Sequence, residues 1–434
     1  MKKLSLSIYF TLAYAIISVL YYGFYQEVVF PRYAYMGYTE LESSHAFLIF
    51  ILGGVNGIAY YSLVGDELSV KNLFTCLYFN FVLIPTTIFI FTTGFSIETL
   101  SFYLILYIYP FLQKIPYRKT VKNLPVLNNV FIYLLCLTLM ILVFYNINPS
   151  LSILDTTDVS GLYDIRMTSR DRLSEVSFIV AYSYMLTFKG IAPLILSYGL
   201  LTDKRFLVYS AIIVFALGFL VSAHKSILLT PAAMLGLYFC LKRSVSIKLL
   251  LCNIAFVLSL ISFFSSGTVQ FIFGDILMRR VFLVPGMLTN IYFDYYSVHD
   301  FNLFSSLISK FSGESFTSIP FIIGENVFGR SEMSANANFV ASGYAEAGIT
   351  GVLLYSIVIL VIFLFLDSRV KLEKNIYLLA SFSILLAGIS RSKAKSQLAL
   401  WSQPWRPTKI CHRRGKNCCL TTIKRRTCRC VGKL

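Results

Sequence analysis

Charge is the first thing this sequence has little of. Asp, Glu, Lys and Arg make up 14% of its 434 residues, against roughly a quarter in an ordinary soluble domain. A chain so poor in charge, with 57% hydrophobic residues and a mean hydropathy of +0.71, is neither intrinsically disordered nor a soluble nucleic-acid binder. Cysteine is sparse over residues 1–390: Cys76, Cys136, Cys240 and Cys252 are scattered in or beside apolar runs, where Cys acts as a small apolar filler. That excludes a secreted disulfide scaffold. A P-loop, a dinucleotide fingerprint and a zinc-protease motif are also missing. What remains is a protein whose solvent is lipid.

A second scarcity divides the chain. From Arg391 to Leu434 there is no Asp, Glu, Phe or Tyr, yet 13 Lys and Arg and five of the nine Cys fall there. Of the net charge of +17, the tail holds 13 and residues 1–390 only +4. Cys411, Cys418, Cys419, Cys428 and Cys430 lack the repeated paired spacing of a zinc site. The composition breaks inside an apolar run, after Gly388-Ile389-Ser390. The expected organisation is a polytopic membrane domain, 1–390, followed by a basic, Cys-rich tail, 391–434, of non-native or frameshifted sequence. Resequencing the locus tests this, since a frame that restores apolar sequence after Ser390 supports it.

A helix crosses the roughly 30 Å hydrocarbon core with about 20 apolar residues, because lipid offers backbone groups no hydrogen-bond partner. Runs of that kind lie near residues 4–25, 45–64, 73–93, 97–113, 126–147, 176–201, 206–222, 226–241, 249–268, 339–366 and 375–390. The expected fold class is therefore all-α, with about 11 transmembrane helices (10–12). The first run is long and aromatic and has no small-residue cleavage site, unlike a signal peptide. With Met1-Lys2-Lys3 in the cytoplasm, the cytoplasmic segments hold 15 Lys and Arg in 42 residues and the outward ones 9 in about 127, as the positive-inside rule requires. The outward side then carries the bulk: loop 148–175, and loop 269–338 between helices 9 and 10.

Arginines on the outward side run against the insertion bias, so they are candidates for work. Those singled out are Arg166 and Arg170 in loop 148–175, and Arg279, Arg280 and Arg330 in loop 269–338. A planar two-pronged guanidinium at headgroup level suits a lipid-linked phosphate; pairing with Asp164, Asp171 or Asp275 is the plainer role. His224 and Lys225 form an outward turn, and Lys189 interrupts the sixth run. Glu346 stands about two turns into the tenth helix, where a carboxylate is costly unless paired. Gly343, Gly348 and Gly351 there make a small-residue face fit for close packing. Packing accounts for neither Glu346 nor Asn336 and Asn338.

The helical layout, the Tyr163-Asp164-Ile165-Arg166 stretch and the larger loop resemble the Wzy-type O-antigen and capsule polymerases. Arg279-Arg280-Val281-Phe282, Tyr292-Phe293-Asp294-Tyr295-Tyr296, Asn336-Ala337-Asn338 and Glu346-Ala347-Gly348 are similar to that family's long-loop region, and Ala223-His224-Lys225-Ser226 to one of its turns. The sequence departs from one family pattern, since no outward Arg has Gly eleven positions later.

The resemblance implies transfer of a growing glycan from undecaprenyl pyrophosphate onto a lipid-linked repeat unit, at the periplasmic face of a bacterial inner membrane. It implies partners in that lipid-linked glycan, membrane lipid, a chain-length regulator and a flippase, and no nucleic acid. A pyrophosphate leaving group needs cationic stabilisation rather than an acid, which Arg166, Arg170, Arg279, Arg280 and Arg330 would supply, with His224, Lys225 and Asn338 as further binding residues. His299, Asp294 and Glu346 are the candidate bases for the acceptor hydroxyl. Neither a metal nor a cofactor is expected. The alternatives are an O-antigen ligase and a lipid-linked oligosaccharide flippase or transporter.

Overall fold

The computed structural model describes residues 2–34, 38, 40, 45–91, 94–115, 129–146, 177–222, 225–243, 245–305, 308, 317–331, 333–368, 375, 376 and 378–380. Among them every regular element is helical. In chain order these are α1 (Lys2–Phe24), α2 (Phe30–Tyr33), α3 (Ala46–Leu63), α4 (Val70–Tyr78), α5 (Ile84–Ile90), α6 (Ile97–Ile105), α7 (Ile108–Leu112) and α8 (Asn129–Asn146). Then come α9 (Phe178–Leu186), α10 (Ala192–Leu201), α11 (Arg205–Ser222), α12 (Lys225–Lys242), α13 (Ile247–Phe264), α14 (Gly267–Val269), α15 (Val284–Val298), α16 (Ile319–Asn326) and α17 (Phe339–Asp367). Among the described residues six helices are long and apolar enough to cross a bilayer: Lys3–Tyr33, Ala46–Leu63, Val70–Ile90, Tyr182–Leu201, Ile247–Phe264 and Phe339–Asp367. Shorter apolar helices cover Leu134–Asn146, Arg205–Val221 and Leu229–Lys242. These suit a multi-pass membrane protein. The last apolar run, 375–390, the loop 148–175 and the tail 391–434 lie wholly or mostly outside the described residues.

Small residues bring the first two long helices together. A Cβ on Gly53 would stand 2.8 Å from the Tyr14 carbonyl oxygen, and one on Gly57 would collide with the Phe10 backbone. Gly53 and Gly57 thus form a small-xxx-small contact, the means by which backbones approach closely where lipid gives no hydrophobic drive.

Four long helical stretches share a feature with one chemical cause. Segments Tyr25–Val29, Phe79–Leu83, Thr187–Ile191 and Gln270–Leu283 are π-helical. Each runs into an α-helix whose second residue is a proline: Pro31, Pro85, Pro193 and Pro285. Proline has no N–H to donate to the carbonyl four residues back, and its ring clashes with that carbonyl. In all four cases the residue before the proline donates instead to the carbonyl five residues back: Phe30 to Tyr25, Ile84 to Phe79, Ala192 to Thr187, and Val284 to Arg279. The widened turn makes room for the ring and keeps the helix continuous through it.

Two poles emerge from the contacts between helix ends. At one, Asp367 closes the N-terminus of α4, accepting from the Val70 and Lys71 backbone at 2.8 and 3.2 Å. A carboxylate there suits the positive end of the helix dipole. Lys71 Nζ donates to the Gln113 carbonyl, and the Gln113 amide to that of Leu63. Lys248, 4% exposed, donates to the Tyr61 and Val64 carbonyls and pairs with Asp66 at 3.6 Å. Segments grouped on one side by their basic residues thus meet at one pole. The C-terminal ends of α2 and α5 reach the other, where Tyr25 packs edge-on against Phe89 and Tyr38.

Much of 269–338 is helix rather than open loop. Gln270–Leu283 and α15 form one continuous helix with Met278, Arg279, Phe282, Tyr292 and Phe293 buried. α17 is also not a single rod. Ala347 (φ −157°) and Gly348 (φ +61°) break it. In a straight helix Gly343 and Gly351 would stand about 12 Å apart, yet a Cβ on Gly343 would lie 2.9 Å from the Gly351 carbonyl oxygen. Phe339 and Phe363 also pack on the same Phe74 ring. The half-helix 339–346 therefore folds back along 349–367, and the small residues serve that turn.

Candidate functional site

One group of polar residues surrounds Arg279. The π-helical segment carries Gln270, Asp275, Arg279 and Arg280; the end of the first long helix carries Arg32 and Tyr33, and Tyr38 follows. Arg279 is only 2% exposed. Its guanidinium carbon lies 3.9 Å from the centre of the Tyr33 ring, a cation–π contact worth about 2 kcal/mol when desolvated. Arg32, half-exposed, reaches Asp275 with Nη1 at 3.3 Å and Gln270 Oε1 with Nη2 at 3.0 Å. Asp275 is buried. Burial pushes the Tyr38 hydroxyl up to about 12, while the positive charge of Arg279 beside it works the other way. Tyr38 is therefore a neutral phenol at physiological pH. Among the described residues Arg32, Arg279 and Arg280 gather here around Tyr38 and the Asp275 carboxylate, and guanidiniums so grouped suit an anion. Arg32 and the half-buried Arg280 are its accessible members.

The second group lies at the far end of the same helix. Asp294 reaches the surface, but its carboxyl is pushed up to about 6, first by the protein packed around it and next by the charge of Glu98. The Asn290 amide, donating to it at 2.8 Å, opposes the shift. Beneath them the Phe102 and Phe293 rings stack at 4.9 Å, with Tyr344 edge-on to both. His299 lies flat on Tyr295 at 4.0 Å, and its Nδ1 is 2.8 Å from the Tyr295 carbonyl oxygen. A carbonyl only accepts, so Nδ1 carries the hydrogen and Nε2 of the neutral ring holds the free lone pair. The Tyr295 hydroxyl accepts from Asn326 at 2.6 Å. Arg330 closes the turn after α16, its backbone N–H donating to the Gly324 carbonyl at 2.9 Å.

Glu346 and Asn338 are explained by backbone. Glu346, 4% exposed, accepts from the Phe304 N–H at 2.8 Å. Its own carbonyl accepts from Leu303, and that of Ala345 from Asn302. Leu303 and Phe304 both have left-handed backbone, at φ 47° and 58°, a conformation bulky residues adopt only under constraint. Glu346 thus fastens segment 301–305 over the break in α17. Asn338 caps the half-helix, accepting from Val340 and Ala341 while its amide donates to Thr289 at 2.6 Å.

The sequence-derived residues fall into two sets. Arg279 and Arg280 sit in the first group; Asp294 and His299 share the second, with Glu346 and Arg330 in the segments beside it and Asn338 on the inner side of α15. Along the helix Arg279 and Asp294 are about 20 Å apart. Arg166, Arg170 and His224 lie outside the described residues; Lys225 opens α12. Lys189 falls in the π turn before Pro193 and is half-buried. Arg32, Tyr33, Tyr38, Glu98 and Gln270 were missed by sequence reasoning. The signal for the first three was an Arg-Tyr pair just past Pro31 and a further Tyr five residues on, at the outer end of an apolar run, where Tyr and Arg anchor an interface. No family model matches the chain, and neither a curated protein nor a solved structure matches it.

Proposed function

We propose that the protein polymerises lipid-linked oligosaccharide repeat units at the outer face of a bacterial inner membrane. It does so as a metal-independent glycosyltransferase with about 11 transmembrane helices and a cytoplasmic N-terminus. The observation that carries the reading is the guanidinium-rich cluster at the end of the first long helix. A buried Arg is costly in an apolar body, and clustered guanidiniums suit a lipid pyrophosphate such as undecaprenyl pyrophosphate. The resemblance to Wzy-type polymerases supports the same chemistry.

In this reading Asp294 takes the proton of the acceptor hydroxyl. A general base works best with a pKa near the operating pH, and a carboxyl near 6 is much better placed than an ordinary one. His299, with Nε2 free to accept, stands five residues on. Glu346 is occupied by the Phe304 backbone and serves as a fastening rather than a base. Arg330 lies on the side of Asp294, where a second cation would meet the departing pyrophosphate.

The test is a chromosomal deletion complemented by the wild-type or an Asp294→Asn gene. Polysaccharide is then resolved by electrophoresis. Chains of one repeat in the deletion and the variant, with a ladder restored by the wild type, are expected. Uncapped core in the deletion would point to a ligase, and a normal ladder would overturn both.

The broken α17 favours a second reading, transport of the lipid-linked oligosaccharide, since half-helices with buried ends build transporter sites. Repeat units trapped on the cytoplasmic face of the deletion strain would select it.

A further inference from the structure

The two polar groups lie at opposite ends of one continuous helix, Gln270–Val298, about 20 Å apart. That is too far for both to act on one glycosidic bond. They nonetheless belong to the same pole. Tyr38, beside Arg279, packs on Tyr25, and Tyr25 on Phe89 at the end of α5. The next helix, α6, opens beside Glu98 and stacks its Phe102 on Phe293, the neighbour of Asp294, at 4.9 Å. Arg32 and Asp294 are both accessible. A single elongated ligand with an anion at one end and a reacting hydroxyl at the other fits this spacing.

We infer that the Arg32–Arg279–Arg280 cluster holds the pyrophosphate of the acceptor, not of the donor. The helix Gln270–Val298 then sets the distance at which the acceptor's terminal sugar reaches Asp294. This rests on the polymerase reading and adds to it the assignment of the two substrates. An acceptor repeat unit carries its anion and its reacting hydroxyl a few sugars apart. A donor carries its pyrophosphate directly on the reacting anomeric carbon and would need its cation within bonding reach of the base. The step balances. The acceptor hydroxyl oxygen bonds to the donor's anomeric carbon, and the bond from that carbon to the donor pyrophosphate oxygen breaks with its electron pair leaving on the pyrophosphate. The hydroxyl proton passes to the Asp294 carboxylate. Arg32 and Arg280 touch the acceptor anion; Asp275 and Gln270 position Arg32, while Arg279 lies buried against Tyr33.

The experiment uses the full chain in lipid nanodiscs. The donor is radiolabelled lipid-linked repeat unit extracted from the producing strain, its terminal sugar blocked so that it cannot accept. Two acceptors are compared: the same repeat unit on its lipid pyrophosphate, and the same glycan on a neutral alkyl chain. Arg32→Gln and Arg280→Gln should raise KM for the pyrophosphate acceptor about 10–100-fold, the loss expected for charge-assisted hydrogen bonds. They should leave the neutral acceptor and the donor KM unchanged. Asp294→Asn should lower kcat with both acceptors. A raised donor KM, or equal loss with both acceptors, overturns the assignment while the polymerase reading stands. Absence of transfer by the wild-type chain to either acceptor overturns the reading on which it rests.

Discussion

At the scale of single residues, environment separates chemical roles that residue type left open. Asp294, His299 and Glu346 are all plausible bases by composition. Only Asp294 is accessible with a carboxyl near 6, while the Glu346 carboxylate is spent on the Phe304 N–H. Asp294→Asn should therefore lower kcat by about 10²–10⁴-fold, the usual contribution of a positioned base. The sign of the pH dependence follows: the base must be unprotonated, so kcat/KM should rise with pH to a plateau above about 6. That limb should vanish in the variant, and a pH–rate profile checks it. Glu346→Gln keeps an acceptor oxygen for Phe304 and should retain most activity. Glu346→Ala leaves that N–H unpaired, costs about 1–3 kcal/mol and should lower the thermal midpoint. Near-complete loss of activity in a stable Glu346→Gln protein would show that its carboxylate does more than fasten.

At the scale of elements, proline and glycine decide where side chains point. Pro285 forces Val284 to bond the Arg279 carbonyl five residues back, and the wider turn sets the direction of Arg279 toward Tyr33. Pro285→Ala restores an N–H and lets the segment tighten to the ordinary i to i−4 pattern. Transfer should fall by about 10–100-fold, as for small misplacements of binding groups, with the thermal midpoint held or raised. Gly348 turns α17 back on itself at φ +61°, which a side chain resists. Gly348→Val should reduce folded protein in detergent, measured by size-exclusion chromatography. The apolar runs made these helices legible in the sequence. Their interruptions were not legible, because apolar length says nothing of where a carbonyl loses its partner.

At the scale of the whole molecule, the alternation of spans gathers the ends that share basic residues. Lys71, Lys248 and the Asp367 cap lie at one pole, and Arg32 and Asp294 at the other. Single cysteines in a cysteine-free background read out the sides. Asp66→Cys should react with a membrane-impermeant maleimide only in inverted vesicles, and Asp300→Cys only in intact cells. The reverse pattern would turn the topology over.

Sequence alone determined the solvent of this protein. Low charge and continuous apolar runs of about 20 residues point to helices in lipid, which meet every backbone hydrogen bond within the span. It also pointed to Arg279 and Arg280, because charge retained in so apolar a chain is conspicuous, and to Asp294 through what the family resemblance implies. Only the tertiary structure decided how they are shared out. Arg279 packs on Tyr33, about 250 residues away in the chain, and Phe293, beside Asp294, stacks on Phe102, about 190 away. Contacts across such separations depend on which helices pack together, and local composition carries no record of that.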